Sequence, residues 1–318
     1  MEKNLLNKKL DEKMKKHPYL KEIIAFNTQY SMMSPYADTT VIASPELMLR
    51  GYLFSKYNRF LSEEYLLNYR TDNRSIGFEM GIGRFQASDA VQTAAHRNLK
   101  EEKEEIIKLP KHKNIRTPLG SVISSRRSVR EYSGRTMPLE DLSTILYYAQ
   151  GISGKLYLEG ETYDTDCIKL RNAPSGGGLY PINLYVIAWN IKNIDKGIYI
   201  YYPYSHSLKP MKKSITIDEY SKLAGFGDIQ VERPNFSVIY VYDFIVNSRK
   251  YGNSAMAYAF IEAGEISENI QLTSTAMGYG ATDIGGTEKQ KIEKLLEIDG
   301  FLRHAILFTI VGEGVNII

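Results

Sequence analysis

The stretch LRNAPSGGGLYPINLYVIAWN, residues 170–190, decides the fold because a triple glycine opens directly into a strongly β-type run. Each glycine costs roughly 0.5–1 kcal/mol in ordered structure unless the chain needs a positive φ or a close backbone approach. No Lys-Ser or Lys-Thr pair follows the glycines, and residues 184–189 are typical of a buried strand, so the stretch is not a P-loop. We expect something flat or anionic to lie against this backbone. A plain glycine turn into a core strand is the alternative.

The composition of the chain sets limits on its class. Its 318 residues allow one large domain or two modest ones, and a net charge of +3 indicates no general affinity for nucleic acid. The single cysteine, Cys167, excludes an intramolecular disulfide and a cysteine-rich zinc site, so we expect a cytoplasmic protein. The N-terminus has no apolar signal-peptide core, and the longest apolar stretches are far shorter than a transmembrane segment.

Residues 1–115 are predicted to form a mostly helical and rather polar region. Ser44 and Pro45 have the form of a helix N-terminus, and a further helix is expected over residues 88–109. No catalytic or metal motif occurs in this part, so we interpret it as a region for packing or partner contact. Residues 116–318 are predicted to form the catalytic domain.

A cluster of cations lies near the start of that domain, in the segment SSRRSVREYSG. Arg126, Arg127 and Arg130 surround the hydroxyl of Ser128 within five residues. The planar guanidinium suits phosphate, and a hydroxyl adds a further donor. We interpret the cluster as a phosphate clamp. Solvated surface is the alternative, since a basic run alone is a weak signal.

The rest of the domain alternates strands and helices. The patterns predict these elements: helices over 138–150 and 254–277, strands over 183–191, 236–244 and 305–311, and a hairpin over 197–211. His206, near the hairpin turn, is expected at the surface. Glu262, Glu265 and Glu268 are interpreted as a polar stripe or subunit contact rather than as catalytic groups.

Five motifs occur in an order that resembles a known family: RRSVREYSG, APSGGGLYP, KYG, MGYGA and DIGG. With them, residues 118–318 resemble the nitroreductase-like flavoproteins and, within these, the SagB/McbC family of azoline dehydrogenases. The resemblance implies an α+β fold, with a central mixed and largely antiparallel sheet flanked by helices. It also implies FMN, bound at the subunit interface of a homodimer.

The function that the resemblance implies is oxidation of thiazoline or oxazoline rings to thiazoles or oxazoles. The substrate would be a ribosomally made precursor peptide, as in bacteriocin or cytolysin biosynthesis, and the partner a cyclodehydratase complex. Two alternatives stay open. One is a general nitro or quinone reductase supplied by NAD(P)H, and the other is a catalytically silent flavoprotein scaffold of the peptide-modifying complex.

The resemblance also implies roles for individual residues. Arg126, Ser128 and Arg130, with Arg127 alongside, match positions that hold the FMN phosphate and ribityl chain. The loop on the isoalloxazine edge is matched by Pro174, Ser175, Gly176, Gly177 and Gly178. The turn near the reactive edge of the flavin is matched by Gly285 and Gly286, and the catalytic pair by Lys250 and Tyr251. One departure is that the chain ends in EGVNII, without the basic pair that many nitroreductases carry after the last strand.

The chemistry explains why a Lys-Tyr pair is needed. Aromatising an azoline removes a hydride to the flavin and a proton from the α-carbon, so a base must stand beside the ring. A phenol with a pKa of about 10 is a poor base at neutral pH, and a neighbouring ammonium would lower that pKa. We therefore expect Lys250 to lower the pKa of Tyr251, helped by the N-terminus of the helix that begins near Ser254. Both side chains can reach one point only from an irregular turn.

Overall fold

The computed structural model describes residues 101–157, 167–211, 214–223, 229 and 233–315, together with positions 15, 65–66, 80 and 82–83. The chain separates into two units, Met1–Arg70 and Thr71–Ile318, and the elements below belong to the second. The predicted helix start at Ser44 and Pro45 lies outside the described residues. The domain boundary at residue 115 stays a prediction.

Seven strands form one sheet in the order β1-β6-β5-β4-β7-β9-β8. Their bounds are β1 Ile107–Lys108, β4 Ile182–Ala188, β5 Gly197–Tyr202, β6 Ser207–Met211, β7 Phe236–Asp243, β8 Gly280–Ile284 and β9 Arg303–Gly312. Every pairing between these described strands is antiparallel. Two more strands, β2 Ile152–Tyr157 and β3 Cys167–Arg171, form a separate antiparallel pair. The predicted α+β fold with a largely antiparallel sheet is confirmed.

Six helices are described, and two of them build one side of the core. Their bounds are α1 Leu119–Ser125, α2 Leu139–Gln150, α3 Ile217–Ser221, α4 Phe244–Tyr251, α5 Ala255–Ala276 and α6 Lys289–Leu295. The predicted helices over 138–150 and 254–277 correspond to α2 and α5. Both begin where the sequence indicates, because Pro138 fixes the first turn of α2 and Gly252–Ser254 form a 3-10 turn before α5.

The alternation of side chains along β4 divides the core into two layers. Leu184 and Val186 pack with residues of α2 and α5, whereas Tyr185 and Ile187 pack with residues of α3 and α6 on the other face. A period of two explains this division, since successive side chains of a strand point to opposite faces. The central strand is therefore buried on both sides, as the apolar run after the triple glycine predicts.

Two local predictions are wrong. Residues 101–109, the described part of the predicted helix over 88–109, contain no helix and instead form β1 beside β6. His206 is half-buried rather than at the surface, because its Nε2 lies 2.7 Å from Ser143 Oγ and its Nδ1 lies 2.9 Å from the Tyr201 hydroxyl.

Two features are absent from the residues that the structure describes. None of their helices combines the length and the apolar composition that crossing a membrane requires. In the same part of the chain, no group of three or more His, Cys, Asp or Glu side chains could hold a metal ion.

Candidate functional site

The glycine loop connects β3 to β4 and contains a 3-10 turn at Gly176–Gly178. Gly177 and Gly178 have φ values of +64° and +65°, a left-handed conformation that a glycine adopts without a steric penalty. Tyr180, with φ +52°, continues the unusual backbone. This left-handed conformation explains why glycine stands at positions 177 and 178.

The Lys-Tyr pair meets this loop, although it lies more than seventy residues further along the chain. Lys250 and Tyr251 are the last two residues of α4, which ends at Gly252 with φ +53°. A Cβ atom at Gly177 would collide with Lys250 Nζ and with the Tyr251 hydroxyl. A Cβ at Gly176 would lie 3.5 Å from the Tyr251 ring. The fold thus brings the predicted catalytic pair against the predicted flavin loop, and the missing side chain at Gly177 makes the room.

The pair lies in the last turn of a regular helix and not in the irregular turn that we expected. Lys250 Nζ is 5.1 Å from the centroid of the Tyr251 ring, so the long lysine chain bends across its neighbour to reach the same point. The Tyr251 ring also packs edge-on against Tyr258 of α5, with the centroids 4.9 Å apart. These two contacts fix the direction of the phenol.

The electrostatics of the pair differ from the expectation. Burial raises the pKa of Tyr251, and the neighbouring Tyr258 adds to the rise. Burial also lowers the pKa of Lys250. The expected lowering of the Tyr251 pKa is therefore wrong, because desolvation disfavours the charged form of both groups. The position at the C-terminus of α4 is no help to a phenolate, since the negative end of the helix dipole lies there.

The arginine cluster lies beside β8, toward the C-terminal half of α5. Ser128 forms a parallel bridge with Ala281, and the Val129 amide donates to the Ala281 carbonyl at 3.1 Å. Arg126 Nη1 donates to Gln271 Oε1 of α5 at 3.1 Å. Ser128 and Arg130 are exposed. Arg127 Nη1 instead donates to two backbone carbonyls, that of Ser124 in α1 at 2.9 Å and that of Arg126 at 2.8 Å.

The second glycine turn follows β8 at its opposite end. The carboxylate of Asp283 accepts hydrogen bonds from Ser267, Gln271 and Thr309, which fastens β8 along α5. Gly285 and Gly286 then come immediately after the strand and are exposed. At about 3.4 Å per residue, Gly285 lies about 14 Å along the strand from Ala281, which pairs with Ser128. Asp283 was not singled out from the sequence, although its place in DIGG was a signal.

Glu262 departs from the sequence-based expectation of a polar stripe or subunit contact. It is 2% exposed, and it does not belong to a surface stripe. Its carboxylate accepts a hydrogen bond from Ser175, within the glycine loop. Glu268, two turns further along α5, is exposed as expected.

Comparison with known proteins fits this arrangement. Residues 123–313 match the profile of the nitroreductase family. The chain belongs to the nitroreductase family. The match begins just before the arginine cluster and ends after β9, so it contains every predicted site residue.

Two sequence relatives and one solved structure are similar to this chain. A protein of Methanocaldococcus jannaschii, whose name assigns it provisionally to the nitroreductases, is 28% identical over 192 residues, covering 60% of this chain and 89% of its own. The microcin B17-processing protein McbC of Escherichia coli is 28% identical over 133 residues, covering 41% of this chain and 49% of McbC. A solved E. coli microcin synthetase McbBCD complex, with truncated pro-MccB17 bound, aligns with a TM-score of 0.51 and 20% identity over 82% of this chain and 100% of that chain.

Membership of the nitroreductase family supports an oxidoreductase that uses a flavin. The residues present fit such a group in two respects. The glycine loop offers a cradle that a single Cβ atom at Gly177 would fill, and the arginine cluster offers cations for a phosphate. The glycine turn and the cation cluster stand at opposite ends of β8, which suits a molecule with a flat ring at one end and a phosphate at the other.

Proposed function

We propose that this protein is an FMN-dependent dehydrogenase that oxidises thiazoline or oxazoline rings in a ribosomally made precursor peptide. It would act in the cytoplasm within a complex that contains a cyclodehydratase. The observation that carries the proposal is the contact of Lys250 and Tyr251 with Gly177, where a base beside the flavin loop is required. McbC, named for processing microcin B17, supports a peptide substrate.

Two groups of residues would contact the FMN. Arg126, Ser128 and Arg130 would hold the FMN phosphate, while residues 174–178 and Gly285–Gly286 would line the isoalloxazine. When bound, the flavin supplies the hydride acceptor. Arg127 Nη1 donates to the carbonyls of Ser124 and Arg126, so we assign Arg127 a supporting role in shaping the clamp loop.

The Lys-Tyr pair would handle the proton that aromatisation releases. The ring loses two hydrogens, one as a hydride from the β-carbon and one as a proton from the α-carbon. We assign the α-proton to the Tyr251 hydroxyl oxygen, as the phenol's own proton passes to Lys250 Nζ. Because burial lowers the pKa of Lys250, a larger fraction of its amine is neutral and able to accept a proton. Because burial raises the pKa of Tyr251, the phenol has to lose its proton in the same step in which it gains another.

The homodimer is also a proposal, and the surface of α5 supports it. Phe260 and Ile261 are 49% and 56% exposed, and exposed Gly264 lies one turn further. Leu119 and Ile123 of α1, which packs on α5, are exposed as well. An apolar helix face with a glycine in it permits close approach of a second copy.

A general nitro or quinone reductase is the second candidate, favoured by the family and by the M. jannaschii relative. Such an enzyme needs the flavin and a hydride donor, but no base for a carbon acid. It predicts rapid NAD(P)H oxidation that is indifferent to substitution of Lys250. A silent scaffold predicts unaltered peptide product when both Lys250 and Tyr251 are replaced.

Mass spectrometry of a cyclised precursor peptide tests the proposal. The peptide is incubated with its cyclodehydratase, with and without this protein, and each oxidised ring lowers its mass by two hydrogens. Tyr202→Phe, which removes a half-buried hydroxyl on β5, is a matched control for Tyr251→Phe. Unchanged peptide mass with flavin-loaded protein and oxygen would overturn the proposed function.

A further inference from the structure

A buried carboxylate lies beneath the glycine loop. Glu262 on α5 is 2% exposed, and its two oxygens contact both ends of one segment. The Ser175 hydroxyl donates to Oε2 at 2.5 Å, and the Ile182 amide approaches Oε1 at 3.4 Å. The same Ser175 oxygen accepts a hydrogen bond from the Tyr180 amide at 2.9 Å. One side chain thus connects the start of the loop, its end and the first residue of β4.

We propose that Glu262 is a positioning residue that holds the glycine loop so that Gly177 lies against Lys250 and Tyr251. It acts through Ser175 and touches neither member of the pair in this arrangement. The catalytic consequence of this role rests on the proposed function. The structural role does not, because any ligand that lies on the loop would depend on the same connections.

The base of the loop has a second connection, which supplies the countercharge. The Arg171 amide donates to the Tyr180 hydroxyl at 2.9 Å, and the Arg171 guanidinium lies 4.5 Å from the Tyr180 ring centroid. Arg171 is itself only 5% exposed, and its charge acts on Glu262. A carboxylate buried at such cost requires a compensating role, since a neutral side chain could fill the same space.

The loop is therefore expected to respond to pH near neutrality. Burial raises the pKa of Glu262 to about 7. The groups that oppose the rise are the Ser175 hydroxyl, the Arg171 guanidinium of β3 and the Ile182 amide of β4, and Glu265 on the same helix adds to it. Above that pH the carboxylate accepts from both Ser175 and Ile182, whereas below it one oxygen carries a proton and the connection weakens.

Hydrogen exchange of the apoprotein tests the structural role without any turnover. We expect Glu262→Gln to raise the exchange rate of the Gly178 and Tyr180 amides about tenfold or more at pH 8, because glutamine has one acceptor oxygen where the carboxylate has two, and its NH2 group would face a donor. Ser175→Ala should do the same, and Ser175→Thr, which restores the hydroxyl, should return exchange toward the parent rate. Glu268→Gln, an exposed carboxylate of the same helix, is the matched control and should have no effect.

Two further readouts separate this inference from the proposed function. In the flavin-loaded protein, Glu262→Gln should shift the visible flavin spectrum and lower kcat more than it raises KM. If Glu262→Gln does not fold, the Ser175 pair decides, since Ser175 is only half-buried. Parental exchange in Ser175→Ala would overturn the positioning role. Faster exchange in Glu262→Gln or Ser175→Ala, together with a parent protein that never oxidises azolines, would retain the positioning role and reject the proposed function.

Discussion

Gly177→Ala separates the cost of the loop's backbone from the contact that the loop makes. Gly177 and Gly178 have nearly the same φ, +64° and +65°, so alanine at either position carries the same left-handed penalty. Only at Gly177 would the new Cβ collide with Lys250 Nζ and the Tyr251 hydroxyl. At Gly178 nothing lies within 4 Å of it. Gly178→Ala is therefore a matched control for the contact.

The expected losses of stability and of rate follow from the left-handed backbone at both positions and from the side-chain contact at Gly177. A left-handed alanine costs about 1–2 kcal/mol, which for a domain of roughly 200 residues lowers Tm by about 2–8 °C in both variants. The additional Cβ at Gly177 meets the flexible end of Lys250 and the tip of the packed Tyr251 ring, so side chains rather than backbone have to move and little further stability is lost. A displacement of about 1 Å at a catalytic group costs about 10²-fold in rate. At equal flavin occupancy we expect that loss in Gly177→Ala only, because Gly178 is assigned to flavin binding and not to proton transfer.

The assay compares melting of the two variants with their rates of ring oxidation, followed by mass, at equal flavin occupancy. Equal Tm values with a rate loss confined to Gly177→Ala support the arrangement of loop and pair. Equal rates in both variants would refute the reasoning, because the contact at Gly177 would then have no bearing on turnover.

Four other predictions test separate parts of the proposal. Replacing Arg126 and Arg130 together with alanine should leave the protein largely colourless, and full flavin occupancy would reject the phosphate clamp. Tyr251→Phe should keep flavin and fold but lower the rate of ring oxidation by about 10²–10⁴-fold. Lys250→Ala should lower the rate by a similar factor, with partial recovery at alkaline pH, where the phenolate forms unaided. A parental rate in either variant would remove that residue from the mechanism. Folding raises the pKa of Glu262 from 4.5 to about 7, so between these pH values the folded state holds a proton that the unfolded chain releases. The free energy of unfolding therefore falls by about 3 kcal/mol as the pH rises through this range, and urea unfolding at pH 5 and 8 should show the fall in the parent and not in Glu262→Gln. Sedimentation should give a dimer, and a monomer that holds FMN would contradict the role of α5.

The sequence predicted the elements well wherever local chemistry determines them. The run after the triple glycine, the first-turn proline of α2 and the small residues of α5 indicate their own secondary structure. Residues 101–109 failed because their mixed charges suit a helix surface, whereas pairing with β6 stabilises them as coil and strand. That pairing partner lies about a hundred residues away and leaves no local trace.

The two misjudged side chains show why burial is hard to read from spacing. Glu262, Glu265 and Glu268 recur every three residues, and three residues turn a helix by about 300°, so each is rotated about 60° from the one before. That rotation moves them from the core toward solvent: Glu262 is buried, Glu265 half-buried and Glu268 exposed. His206 is a similar case, because Ser143 of α2 reaches its ring from a distant part of the chain.

The meeting of Lys250 and Tyr251 with Gly177 is the reason why we propose ring oxidation in preference to nitro or quinone reduction. Reduction of a nitro group or a quinone adds a hydride to an electron-poor acceptor, and water can supply the proton. Aromatisation of an azoline runs in the other direction and removes a proton from carbon, which water at neutral pH does slowly. A positioned proton acceptor is therefore needed beside the ring. The pair at Gly177 supplies two adjacent groups, both driven by burial toward their neutral forms, and the loop has no side chain between them and whatever lies on it. A reductase would have no use for that arrangement, which is why substitutions at Gly177, Lys250 and Tyr251 should change ring oxidation far more than NAD(P)H oxidation.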